Sequence, residues 1–274
     1  VIPVTRVATI LRYTRHLDCL GAPVDRLLAL AGIPMELLDY PAAALPLEKA
    51  FRFGELACRT LGTEHLGLDI GHAESLDDLG PYGLILKESL TVHDYLRKGI
   101  SLYNTLITGQ RLWLSEHGEE FRLNVATDGE SELGKYQSQM ETLVVTIGKL
   151  REAAGPNWSP REISLAYTVR ERLPAIDLFA GSRVRRGTGK TYFTIPRGVM
   201  GGLVQLQIES LLPCRALQID FAAESLGMSS RSLQRALASQ GLTYSQLLTE
   251  ARIRQAAHWL ENTDKPIAEI AFDL

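Results

Sequence analysis

The chain is poor in the residues that staple a fold or hold a metal. Its three cysteines, Cys19, Cys58 and Cys214, lie far apart, and none forms a Cys-x-x-Cys pair. A disulfide framework or a zinc site is therefore not expected, and reduced thiols in a cytoplasmic protein are. No apolar run approaches the roughly 18 residues that a membrane helix needs, so no membrane partner is expected. The opening segment, Val1 to Arg6, lacks both a secretory pattern and an initiator Met. Positive charge is also scarce. The net charge is −3, so a nucleic-acid partner would have to be held by local residues and not by total charge.

Catalytic signatures are missing as well. There is no Gly-x-Ser-x-Gly elbow, no His-Glu-x-x-His and no nucleophile beside an evident base, so neither an enzyme nor a cofactor is expected. Gly187-Thr188-Gly189-Lys190-Thr191 invites a phosphate-loop reading. That loop needs Gly where Val184 stands, and it must open a helix, whereas the strand-like Tyr192–Ile195 follows here. His65 and His72 lie two helical turns apart, but Gly67 and Gly71 weaken a helix between them and a third ligand is lacking. Surface or capping roles are expected for both. The basic run Arg183, Arg185, Arg186 and Lys190 reads first as an exposed turn, and second as a contact to DNA phosphate or to a linker.

What is present suits a globular protein. Hydrophobic residues make up 45% and charged residues 22% of the 274, a length that favours two domains. The first seventy or so residues read as helices, with Ile10, Tyr13, Leu17 and Leu20 at helical spacing and Gly21, Gly32 and Gly62 as stops. A turn is expected at Gly80-Pro81-Tyr82-Gly83. Arg111–Leu114 and Phe121–Val125 alternate about a polar tip and predict a β-hairpin. A helix over 136–153 and strands at Ile163–Val169 and Thr191–Ile195 complete an α+β domain, residues 1–205. A linker is expected at 206–216, where Leu211-Leu212-Pro213-Cys214-Arg215 breaks the pattern. From residue 217 to 274 every segment reads as helical.

That last region carries the functional signal. A DNA-binding helix-turn-helix needs a small residue where its helices touch, a Gly at the turn and an apolar residue facing back from the second helix. Ala223, Gly227 and Leu233 stand at those places, with Ser229 as N-cap of the second helix. The polar face of that helix shows Ser230, Arg231, Gln234 and Arg235. Arg can bond a guanine edge through two hydrogen bonds and Gln an adenine edge, while hydroxyls at the helix start suit phosphate. No acid occurs between Glu224 and Glu250. The plain alternative is a solvated helix face. Thr243-Tyr244-Ser245-Gln246 then forms a capping box, opening a long helix whose buried stripe is expected to be Tyr244, Leu247, Leu248, Ala251, Ala257 and Leu260. Ile267, Ala271 and Leu274 next repeat Ile219, Ala223 and Leu226 at a fixed offset. The expectation is an all-α tandem helix-turn-helix domain whose second unit is incomplete at Leu274.

Met228–Arg235 resembles the first helix-turn-helix of AraC-type regulators. Arg252, Ala256 and Leu260 match that family's connecting helix, and Asp264–Phe272 looks like the entry to its second unit. More weakly, Gly80–Leu84 and Phe193–Arg197 are similar to the α+β effector domain of one AraC subgroup. The resemblance implies a bacterial activator or repressor whose small-molecule effector sits in the N-terminal domain. It also implies that the protein reads double-stranded DNA in the major groove, with RNA polymerase and a second copy of the chain as candidate partners. Ser229, Ser230, Arg231, Gln234 and Arg235 are the expected DNA contacts. Tyr82, Tyr103, Arg111, Trp113 and Tyr136 are weaker candidates for the effector pocket, chosen by residue type. The alternative is a ligand-binding scaffold whose tail, with five basic residues against seven acids over 217–274, docks on a protein.

Overall fold

The computed structural model describes residues 2–73, 76–87, 89, 91–155, 157–168, 170–171, 173–200, 219–225, 229–238, 243–263 and 265–273. The expected linker over 206–216, the turn at Gly227 and the repeat residue Leu274 lie outside the described residues.

The N-terminal region is built in two parts. Strand β1 (Val4–Arg6) pairs antiparallel with β2 (Ala44–Pro46). Around this small sheet gather α1 (Val7–Cys19), α2 (Val24–Ala31) and α3 (Leu47–Leu61). Their apolar positions recur at helical spacing, so Val7, Ile10, Leu17, Leu28, Phe53 and Ala57 meet in one core. Helix α4 (Leu66–Ala73) closes it.

The second part centres on a five-stranded sheet of order β3-β4-β7-β5-β6. Strands β3 (Gln110–His117) and β4 (Glu120–Thr127) form the hairpin read from the sequence, turning at Gly118 with φ 60°. Strand β7 (Thr191–Pro196) pairs with β4 so that Phe193 faces Leu123. The segment expected as a strand over Ile163–Val169 is shorter. Only β5 (Glu162–Ser164) is extended and paired. At its end the Leu165 N–H makes the last bond to β6, to Arg185 O at 2.8 Å, and the Ala166 N–H then turns to the Thr191 hydroxyl at 3.0 Å, a side-chain partner outside the ladder. The run at Arg183–Arg185, read as a turn, is edge strand β6, parallel to β5.

Three connecting helices follow from local chemistry. The expected turn at Gly80 instead opens helix α5 (Gly80–Lys87). Pro81 sits in its first turn, where the missing N–H costs nothing. Helix α6 (Val92–Leu102) is capped by Thr91, whose hydroxyl accepts the Asp94 N–H at 3.0 Å. Helix α7 (Glu132–Ala154) is capped by Ser131 and lies on the sheet, burying Met140, Leu143, Ile147 and Leu150.

On its other side α7 meets α4. Gly67 and Gly71, which weaken a helix by propensity, are what bring these two together. A Cβ at Gly67 would stand 2.2 Å from Gln137 O, and one at Gly71 3.0 Å from Glu141 O. Gln137 completes the joint, accepting the Gly67 N–H at 2.7 Å and donating to Glu64 O at 2.7 Å. His65 corrects the expectation of a surface role. It is buried at 1% exposure, and its Nδ1 bonds the Tyr136 hydroxyl at 2.9 Å. His72 is exposed, as a surface role requires. Short helix α8 (Arg197–Met200) follows β7.

Beyond residue 218 the described chain is helical: α9 (Ile219–Ser225), α10 (Ser230–Ala238), α11 (Tyr244–Asn262) and α12 (Ile267–Asp273).

Candidate functional site

Helix α10 stands on a small apolar base. Leu233 and Leu237 lie one turn apart and are buried, as are Ala222 and Ala223 on α9; α9 and α10 pack together. The small side chains on α9 let the second helix come close. Ser229 caps α10, its hydroxyl accepting the Ser232 N–H at 3.2 Å. Ser230 donates its hydroxyl hydrogen bond back to the Asp220 carboxylate. With the apolar face held inward, Arg231, Gln234 and Arg235 are exposed together on the opposite face. All five expected contacts thus sit at one helix start and one helix face. Both serines are already engaged within the protein, Ser229 as the cap and Ser230 by Asp220. Asp220, which ties it, carried no signal in the sequence beyond being an acid in a helix.

Helix α11 has the expected capping box. The Thr243 hydroxyl accepts the Gln246 N–H at 3.3 Å, and the Gln246 side chain accepts the Thr243 N–H at 3.0 Å. Its expected buried stripe is only partly inside. Tyr244 and Leu248 are half-buried, whereas Ala257 is exposed and Leu260 is 54% exposed; the Leu247 and Ala251 side chains lie outside the described residues. The repeat of α9 in α12 does not repeat its packing. Ile267 is 73% exposed and Ala271 is exposed, while Ile270 is the buried residue. Among the described residues α12 packs on α11, where α9 packs on α10, so a different face turns inward. Lys265 pins that joint, lying 4.4 Å over the Trp259 ring and pairing with Asp273.

The second site is a cleft between the two N-terminal cores, enclosing about 880 Å³ of space that is partly open to solvent. Helices α1, α3, α5, α6 and α7 and strand β3 wall it. Ile10, Phe51, Leu86, Ile107 and Val145 supply apolar surface. At one place Arg12 on α1 meets Glu141 on α7 at 2.7 Å, and the Tyr13 hydroxyl donates to the other Glu141 oxygen at 2.8 Å. Burial, and then the Glu141 charge, push the Tyr13 hydroxyl pKa well above its ordinary value. At another, the Tyr103 hydroxyl donates to Gln110 Oε1 at 2.9 Å and lies 3.1 Å from the Thr142 hydroxyl. Ser138 also donates to Gln110 Oε1, at 3.1 Å. Burial raises the Tyr103 pKa too, so both phenols stay neutral donors.

Of the residues chosen by type for an effector, Tyr82 and Tyr103 line this cleft. Tyr82 donates to Gly99 O at 3.1 Å. Arg111 and Trp113 are exposed, on the face of β3 opposite Gln110 and Leu112, which do line it; strand alternation puts neighbours on opposite faces. Tyr136 is buried beside His65, outside the lining. The cleft residues that sequence reasoning missed are Arg12, Tyr13, Gln110, Glu141 and Thr142. A signal existed for two of them. Arg12 is a cation within the buried stripe of α1, and Glu141 an acid among the apolar positions of α7. Ionised groups enter such positions only when paired.

The other motifs fall elsewhere. Gly187–Lys190 leads into strand β7 and does not open a helix, and Thr188 donates to Leu165 O at 3.2 Å. In the basic run, Arg185 lies 3.8 Å from Glu162 and Arg186 donates to Glu171 O at 3.4 Å. Among the described residues no group of His, Cys, Asp or Glu is arranged to hold a metal ion, and no helix is long and apolar enough to cross a membrane.

Residues 21–201 match the family model described as the arabinose-binding domain of AraC transcription regulator, N-terminal. The chain belongs to this AraC family. Residues 222–274 match a helix-turn-helix domain model. The crystal structure of transcriptional regulator CdpR from Pseudomonas aeruginosa is similar, at 18% identity over 92% of this chain and 88% of that one, with a TM-score of 0.44. No curated protein sequence matches the chain. An AraC-type ligand-binding domain followed by a helix-turn-helix makes this an effector-controlled, DNA-binding transcription regulator.

Proposed function

We propose that residues 1–205 sense a small molecule in the α1–α7 cleft and that residues 217–274, joined through 206–216, read DNA through α10. Arg231, Gln234 and Arg235 contact base edges, and Ser229 and Ser230 meet the backbone at the helix start. Ser230 does so by exchanging Asp220 for phosphate. The observation that carries this reading is one helix whose apolar side is locked inward by Leu233 and Leu237 while both Arg and the Gln face out. The effector acts by favouring one of two arrangements of the chain that differ in DNA affinity. The regulator is not an enzyme and works in the cytoplasm, where its DNA is. RNA polymerase and a second copy of the chain are its further partners.

The test is a salt-resolved titration of the full chain on its own upstream DNA, beside an Arg231→Ala, Arg235→Ala double variant. Specific binding that collapses in the variant supports the assignment. Equal binding by both removes α10 as the reading head. A second reading, a tail that docks on a protein, is favoured by the exposed Ile253, Leu260 and Ile267 and by the acid excess over 217–274. It predicts that the double variant retains whatever partner the wild type has.

A further inference from the structure

If the cleft holds the effector, as proposed above, its lining also restricts what that molecule is. Arg12 and Glu141 are the charged side chains among its described lining residues. They neutralise each other at 2.7 Å while 8% and 13% exposed, and Glu141 spends its second oxygen on Tyr13. A ligand of net charge finds no spare counter-charge there. An anion drawn to Arg12 would add a second negative charge beside Glu141, and a cation drawn to Glu141 a second positive charge beside Arg12, so neither meets a counter-charge that is not already used. A zwitterion would need both partners at once, and would carry two ionic heads into walls made mainly of Ile10, Phe51, Leu79, Leu86, Ile107 and Val145.

The Tyr103–Gln110–Ser138–Thr142 network is of another kind. Its hydroxyls donate and accept, and Gln110 Nε2 reaches Thr142 only at 3.3 Å. Such a network can turn toward a ligand oxygen without stranding a charge. We propose that the effector is an uncharged, mainly hydrocarbon molecule, carrying a hydroxyl or carbonyl oxygen that meets Tyr103, Gln110 and Thr142.

The experiment uses probes that share one body and differ in head: octanol, octanoate, octylammonium and α-aminooctanoate. Each is titrated into the full chain, and apparent affinity is taken from the shift in thermal unfolding midpoint. Octanol is expected to bind at least about tenfold more tightly than each charged analogue. Glu141→Gln, which leaves the Arg12 charge uncompensated, is expected to move the preference toward octanoate by a similar factor. If that variant does not fold, the wild-type ranking decides alone. Ala50→Phe, which fills the cleft from α3, separates two failures. A charged or zwitterionic probe that binds best, and is lost in Ala50→Phe, overturns the chemical class while the cleft stands. Probes that do not bind, or bind regardless of Ala50→Phe, overturn the cleft and the class together.

Discussion

In the N-terminal region, Phe193, Leu143 and Ile147 sit between a sheet and a long helix that is itself covered by α4. In the helices after residue 218, Leu233 and Leu237 sit against two alanines, and several large apolar side chains face outward. The thick region can hold a buried ion pair and a cleft because layers on both sides exclude water. Among its described residues the thin one buries only Ala222, Ala223, Leu233, Leu237 and Ile270. It is stabilised, among the described residues, by end caps and by two short helix contacts, α9 on α10 and α12 on α11. A sensor needs enclosure, whereas a reading head needs a rigid helix whose outer face is free. The two regions divide along those physical needs.

Substitutions can sharpen that contrast. The largest effect is expected from the Arg231→Ala, Arg235→Ala pair, which should cost about 2–6 kcal/mol of specific DNA affinity at about 1–3 kcal/mol per base contact. Its thermal unfolding should stay near wild type, because neither side chain is buried; a large drop in the unfolding midpoint would show that the Arg face is structural. Phe193→Ala should act in the opposite sense. Emptying a fully buried ring site is expected to cost about 3–5 kcal/mol of stability, read by denaturant unfolding. A loss below about 1 kcal/mol would mean that the sheet–α7 core is loosely packed around Phe193.

Thr243→Ala removes one half of a capping box and should cost about 1 kcal/mol, confined to the C-terminal transition. Tyr103→Phe should cost about 1 kcal/mol in the N-terminal transition, since Gln110 keeps its Ser138 bond. It should also weaken any effector response. Full response in that variant would move the cleft's polar end away from Tyr103.

The smallest effect concerns pH. The backbone N–H of Glu64 and the hydroxyl of Thr63 bond the Glu171 carboxylate, holding its pKa below the ordinary 4.5. A carboxyl lowered by folding adds stability that is present above its unfolded pKa and lost as pH falls through the folded one. Glu171→Gln should therefore flatten the stability profile on the acid side, from about pH 4.5 downward. An unchanged acid limb would rule out that clamp between the loop after β5 and the start of α4.

Much of α10 was legible. Ala223, Leu233 and the Ser229 cap are short-range features, set by residue size and by spacing within a few turns, and the Arg and Gln face follows once the apolar face is fixed. The β3–β4 hairpin was legible for the same reason, since alternation about a Gly turn is local. Its consequence was missed where type outweighed parity. Arg111 and Trp113 looked suited to a pocket, yet the same alternation puts Gln110 and Leu112 on the cleft side. Gly67 and Gly71 misled in the other direction. Propensity counts their cost to a helix but not the close approach to α7 that only their lack of a side chain permits.

The sequence by itself determined the order of regions, the α+β character before residue 200, the helical character after 218, and which helix shows Arg and Gln outward. All of these rest on periodicity, caps and turn residues whose partners lie within a few positions along the chain. Only the tertiary structure decided that Arg12 meets Glu141, that Tyr103 meets Thr142, that His65 is buried against Tyr136, and that α12 turns Ile270 and not Ile267 inward. The first three pairs join residues far apart in the chain, and the last depends on which helix α12 lies against. Helical spacing says which side chains share a face, but what covers that face is settled when the elements meet.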